Sequence, residues 1–225
     1  MTFSIIARCA RTGQFGIAVS SSSPAVAGRC AFARAGVGVV ASQNVTDPRL
    51  GPLGLDLMDG GSSAAECRDA LVRTGPFPEF RQLAVMDRHG TAAVWSGART
   101  LGCHATAVRR NVASAGNLLA NATVPDAVVE AFLASDPSQE LGTRLVRAMC
   151  AGLAAGGEAG PLRSAGLLVV DRQSWPLTDL RVDWDDAPIA RLADLWTVWQ
   201  PQMNDYVTRC LDPSSAPAYG VPGDE

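Results

Sequence analysis

Two runs in this sequence, GLLVV at 166–170 and the LAVM of QLAVM at 83–86, are apolar on successive residues, and this pattern constrains the fold more than any other. Side chains on a strand alternate between the two faces of a sheet, so a strand that is apolar throughout needs both faces covered. The runs also come in pairs joined by short turns. Residues Phe3 to Cys9 and Gln14 to Ser20 flank ARTG, whose glycine suits the left-handed position of a hairpin loop. RQLAVMD and TAAVWSG flank DRHG, and SAGLLVVD and LTDLRVDW make a third pair. A further strand-like run, Val37 to Ser42, follows AVAGRCAFARAG. Hairpins build antiparallel sheets, whereas a doubly wound parallel sheet needs strand and helix in strict alternation.

The helices read as follows. SSAAECRDALVR opens with Ser63 and Glu66 at capping-box spacing. VPDAVVEAFLAS sets Val124, Ala127, Val128, Ala131 and Phe132 on one stripe, and QELGTRLVRAMCAGLAAGG does the same with Leu141, Leu145, Ala148, Met149 and Leu153. PIARLADLWTVWQ reads as the last helix, with Ile189, Leu192, Trp196 and Trp199 facing the core or a subunit interface. Strands, helices, strands and a helix, with sheets buried on both faces, fit an α+β fold: a four-layer αββα sandwich of two antiparallel sheets. No linker divides the 225 residues, so one domain is expected over 1–210. The remainder, 211–225, is rich in proline and glycine and is expected to be an extended tail. Laid across a neighbour with Tyr219 as anchor, it would make a homodimer or larger homo-oligomer.

Composition removes several function classes. The net charge is −3 and the arginines are scattered, which leaves no footprint for nucleic acid. No apolar stretch reaches the roughly 18 to 20 residues that cross a bilayer, and the first residues lack a secretory pattern, so no membrane partner and a cytoplasmic location are expected. The six cysteines include no CxxC pair, and most of them read as buried thiols. There is no lysine anywhere, which excludes Schiff-base chemistry, a P-loop lysine and a lysine base. Only His89 and His104 offer imidazoles, on separate turns, so neither metal nor cofactor is expected and a small-molecule substrate is.

The first hairpin then serves as a ruler. With its loop centred near Thr12, facing residues have numbers that sum to about 24, which sets Thr2 opposite Ser21, Ser22 and Ser23 to within one residue of register. Removal of the initiator methionine before a small second residue would leave Thr2 with both a hydroxyl and a free α-amine. That amine titrates at roughly 7.7 to 8.0, so it can take the hydroxyl proton during attack and return it to a leaving amine. A retained Met1 would cap the amine. Taken structurally, threonine is simply a good strand former and a serine run an ordinary turn.

TFSIIARCARTGQFGIAVSSSSPAVAG, ARAGVGVVASQNVTDPRLGPLGLDL, ASAGNLLAN, AAGGEAGPLRSAGLLVVD and DLRVDWDDAPIARL, in this order from Thr2 to about Leu192, resemble the family known as domain of unknown function 1028. That resemblance implies the N-terminal nucleophile (Ntn) hydrolase superfold, an αββα sandwich, and makes Thr2 the nucleophile position. Relatives carry lysine and an aromatic residue where this chain has Ser22 and Ser23, so the cation that proteasome-type members use beside the nucleophile is missing here.

Other polar residues are candidates for supporting roles. Asn44 in SQNVTDP could donate its amide to an oxyanion, or close an Asx-turn before Asp47. Gly116 and Asn117 in AGNLL would make a two-donor oxyanion hole, or simply a loop. Arg181 and Asp183 alternate on one strand face, either as a structural pair or as a clamp for a substrate carboxylate. The expectation is therefore an amidohydrolase acting on a small linear amide or ureido compound through Thr2. The rival from another class is a non-catalytic sandwich that binds a metabolite or serves in an assembly. A third reading makes Cys30 or Cys103 a nucleophile with His104.

Overall fold

The structure, a computed structural model, describes residues 1–224. Along the chain come β1 (Thr2–Arg8), β2 (Phe15–Ser21), the single turn α1 (Ala27–Cys30), β3 (Ala31–Arg34), β4 (Gly38–Asn44), α2 (Leu50–Asp59) and α3 (Ala64–Thr74). Next are β5 (Arg81–Asp87), β6 (Ala92–Ser96), β7 (Ala105–Arg109), β8 (Val112–Asn117), α4 (Val124–Leu133) and α5 (Leu141–Ala154). The chain continues through β9 (Ser164–Val170), β10 (Thr178–Val182), α6 (Pro188–Trp199) and α7 (Met203–Leu211). No helix among the described residues is long and apolar enough to cross a membrane.

Every strand pair is antiparallel. One sheet has six strands in the order β10-β9-β2-β1-β8-β7, the other four in the order β3-β4-β5-β6. Three apolar layers follow from the alternation of side chains. Phe3, Ile5 and Ala7 of β1 pack with Val128, Phe132, Leu145, Met149 and Leu192 under α4, α5 and α6. Ile6, Phe15, Ile17, Ala84, Met86 and Ala113 fill the space between the sheets. Val40, Leu55, Met58, Leu71, Leu83 and Val85 close the other side under α2 and α3. The layers run helix, sheet, sheet, helix, the αββα order that successive apolar residues require.

Local signals place the elements that were legible. Gly13 turns the first hairpin at φ 82°. The Ser63 hydroxyl accepts from the Glu66 N–H while the Glu66 carboxylate accepts from the Ser63 N–H at 2.9 Å, a full capping box. Trp196 is buried in the core, its indole donating to Thr143 Oγ1 at 2.9 Å, and the half-buried Trp199 packs against that core and donates to Thr178 Oγ1 at 3.0 Å.

Three features were not legible. The strands β7 and β8 form from ATAVR and VASAGN, mostly small residues that take strand conformation because β1 supplies a partner for β8 and β8 one for β7. Helix α2 carries a proline and two glycines, LGPLGLDLMD, and holds by packing against the small sheet. Beyond the helix read as last lies α7, and the chain after it folds back on itself: Arg209 stacks between Tyr206 and Tyr219, 3.9 Å from the Tyr219 ring centre, and donates to the Pro217 carbonyl. Cation–π stacking supplies an ordering contact that an apolar count of the tail leaves out.

Candidate active site

On β1, Phe3, Ile5 and Ala7 face the helices, so Thr2, Ser4 and Ile6 face the second sheet. Thr2 lies between Ser21 of β2 and Asn117 of β8 in the ladder, within the stretch that the hairpin ruler marks out. It is 6% exposed. Its Oγ1 is 3.2 Å from Ser21 Oγ, and both hydroxyls donate to the Met1 carbonyl at 2.5 Å. The Met1 amine donates to Ser22 Oγ at 3.3 Å. In this form the free amine belongs to Met1, and the Thr2 nitrogen is an amide that cannot take up a proton.

A buried polar seam leads away from Thr2 between the sheets. Ser4 Oγ donates to Gln43 Oε1 at 2.7 Å, and Gln43 Nε2 donates to Gln82 Oε1 at 2.8 Å and to the Ala115 carbonyl at 3.1 Å. Gln82 Nε2 donates to Ser96 Oγ and the Gly116 carbonyl, both at 3.0 Å. Asn117 Nδ2 donates to Gln82 Oε1 at 3.1 Å, and Asn117 stands directly opposite Thr2 in the ladder, on the same face of the sheet. Buried polar groups need such partners, and each amide here fixes the orientation of the next. Gln43 and Gln82 were missed in the sequence, where Gln43 stands between Ser42 and Asn44 at the polar end of its strand and Gln82 follows Arg81 at the start of its own.

The serine run is organised by two charged residues that were also missed. Ser21 Oγ is 2.9 Å from Ser23 Oγ, and Arg29 Nη2 donates to Ser23 Oγ at 2.9 Å, so a guanidinium stands two hydroxyls away from Thr2. The Ser22 N–H donates to Glu158 Oε2 at 3.1 Å. Glu158 is 6% exposed, and burial pushes its carboxyl up to about 8, against the opposing pull of the chain's amino terminus and the Ser22 N–H. Its position in AAGGEAG, among small residues after a helix, offered no local sign that it would be buried.

The remaining candidates are placed elsewhere. Asn44 ends β4 at φ 75°, with Nδ2 donating to the Phe80 carbonyl at 2.6 Å and Oδ1 accepting from the Leu101 N–H at 3.2 Å. Its amide is committed to holding two loops. Gly116 lies inside the six-stranded sheet between Phe3 and Ala105, where a strand N–H points along the sheet plane and not at a side chain. Arg181 pairs with Asp179 through two 2.8 Å bonds, not with Asp183, and lies on an edge strand separated from β1 by β9 and β2. Burial raises the Cys30 thiol against the opposing pull of the Thr46 hydroxyl beside it, whereas Cys103 and His104 are exposed and His104 Nδ1 contacts the Gly102 carbonyl. No hydrogen bond joins either thiol to an imidazole among the described residues.

Comparison with known proteins adds the following. Residues 2–192 match a family described as "Family of unknown function (DUF1028)". A crystal structure of a Silicibacter pomeroyi protein of that family is similar at 30% identity and a TM-score of 0.84, over 91% of this chain and 89% of that one. Anbu, the ancestral β-subunit, from Yersinia bercovieri is similar at 10% identity and a TM-score of 0.41, over 91% of this chain and 97% of that one. A mutant Anbu from Hyphomicrobium sp. strain MC1 is similar at 11% identity and a TM-score of 0.43, over 90% and 96%. No curated protein matches the sequence. With the family pattern running from Thr2 to Leu192 and the same fold in a relative at 30% identity, the chain belongs to the DUF1028 family.

Proposed function

We propose that this protein is an N-terminal-threonine amidohydrolase acting on a small linear amide or ureido compound. The observation that carries the reading is the grip on the Met1 carbonyl: two buried hydroxyls, Thr2 and Ser21, hold a carbonyl oxygen at the one strand end where a processed chain would present its amine. Once Met1 is removed, the Thr2 amine takes the proton of the Thr2 hydroxyl as Oγ1 attacks the substrate carbonyl carbon. The free N–H of Asn117 Nδ2 stabilises the oxygen that gains charge. Collapse expels the amine, which receives the proton, and leaves an ester on Thr2 that water hydrolyses. Arg29, acting through Ser23 and Ser21, supplies positive potential where relatives place a lysine. The exposed thiols of Cys103, Cys150 and Cys210 suit a reducing cytoplasm.

A small β-lactone, which acylates activated hydroxyls, tests the reading without knowledge of the substrate. Intact mass first confirms loss of Met1. One adduct mapping to Thr2, absent from Thr2→Ala and from chain that retains Met1, is expected, with Thr2→Ser labelled at a reduced rate. Labelling that survives Thr2→Ala sinks the assignment and returns the fold to a binding role.

A further inference from the structure

Beside the chain start, Leu153, Glu158, Pro161, Leu162, Pro188 and Ile189 are among the residues enclosing a cavity of about 360 Å³ between the end of α5 and the start of α6. Ligand pockets run from roughly 300 to 1,000 Å³, so this one suits a small group. Its walls are aliphatic. Its polar wall is Glu158, whose Oε2 accepts the Ser22 N–H while Oε1, equally buried, meets no protein donor. Asp186 stands at the rim, bridged to Arg163, and no arginine lines the space.

The cavity adjoins the chain start through two of its lining residues, Glu158 and Gly160. Ser22 holds Glu158 with its N–H and the chain's amine with its hydroxyl. Gly160, another lining residue, lets Met1 come so close that a Cβ there would lie 2.6 Å from Met1 Cε. A substrate bound over Thr2 would therefore send one flank into this space.

We propose that the cavity is the recognition pocket of the same site and takes a cationic amino or guanidino group on a short aliphatic chain, paired with Glu158 Oε1. An anion finds two carboxyls and no cationic side chain among the lining residues. A cation supplies the charge that a buried carboxylate lacks, and charge-assisted bonds of this kind are the strong ones. The charged groups facing Glu158 are the chain's amine, the Asp186–Arg163 pair at the rim and, on the ligand side, the incoming cation. At neutral pH the carboxyl holds its proton, so the cation binds as that proton leaves to solvent and the ion pair forms. The proposal rests on the Thr2 reading for the pocket's place beside the scissile bond, but binding itself needs no turnover.

The test titrates n-butylammonium, n-butylguanidinium, pentanamide and pentanoate into the full-length chain, with and without Met1, reading the Leu162 and Ile189 methyl signals by NMR. Both cations should bind at least about tenfold tighter than the amide and the carboxylate, and tighter at about pH 9 than at about pH 6. Calorimetry near neutral pH should register a released proton, and Glu158→Gln should abolish the preference. Selectivity and pH trend are read on the unmutated chain, so they stand even if the variant misfolds. Equal or better binding of pentanamide, affinity that falls with pH, or no shift of either methyl overturns the proposal. Loss of selectivity with Thr2 still acylated by the β-lactone defeats the pocket alone; selectivity with an inert Thr2 defeats the nucleophile alone.

Discussion

At one end of the layer between the sheets, Ile6, Phe15, Ile17, Ala84, Met86 and Ala113 interlock as a dry core. At the other end the same strands present Ser4, Gln43, Gln82 and Asn117 to one another through hydrogen bonds. Both halves are buried, yet they hold the sheets together in different ways. Apolar packing is non-directional and tolerates repacking that conserves volume. A buried amide chain is directional: each member fixes the next, and one missing partner leaves another group unsatisfied. Thr2 sits at the directional end, where a hydroxyl can be held in one orientation, and the dry end anchors the sheets against each other.

The sharpest way to break this contrast is Asn117→Ala. Acylation of Thr2 by the β-lactone should slow by about 10²- to 10³-fold, the usual cost of one oxyanion donor, with little change in unfolding temperature. An unchanged rate would make Asn117 part of the seam's scaffold and no more.

Paired changes in the two halves should then differ in kind. Ile6→Ala removes core volume and should cost about 2–5 kcal/mol of stability, while the folded fraction keeps its Thr2 reactivity. Gln82→Leu removes a partner from Gln43 Nε2 and the Gly116 carbonyl and leaves Asn117 Nδ2 without its Gln82 acceptor; it should cost about 1–3 kcal/mol and also slow acylation. Denaturant melts with lactone kinetics on both variants measure this. Equal losses of reactivity would erase the distinction between the halves.

The smallest effect concerns pH. The Glu158 carboxyl rises from 4.5 to about 8 on folding, so between these values the folded chain keeps a proton that the unfolded chain has lost. Stability from this group is therefore full below about pH 4.5, declines as pH rises toward 8 and levels above it. Urea melts across that window should show the decline in the unmutated chain and not in Glu158→Gln. Parallel curves would mean that Glu158 is ionised in the fold.

What could be read from the sequence was local. The hairpins, the capping box at Ser63, the helix stripes and the pairing of Thr2 with the start of the serine run all depend on residues close together in the chain. Runs apolar at successive positions then required a covered sheet on both faces, which set the αββα layering.

Tertiary structure decided the rest, because it determines which side chains meet across a layer. Gln43 and Gln82 become a seam only when the two sheets face each other. Asn44, one residue further along β4, is drawn to Phe80 and Leu101. Arg181 found Asp179 along its own strand at bidentate geometry, so Asp183 was left for a backbone contact with Ala25. Glu158 owes its burial to the approach of the Ser22 strand end, 136 residues earlier in the chain. Composition and periodicity record a residue's own preference, but the desolvation and partners that give it a chemical role come from residues far away in sequence.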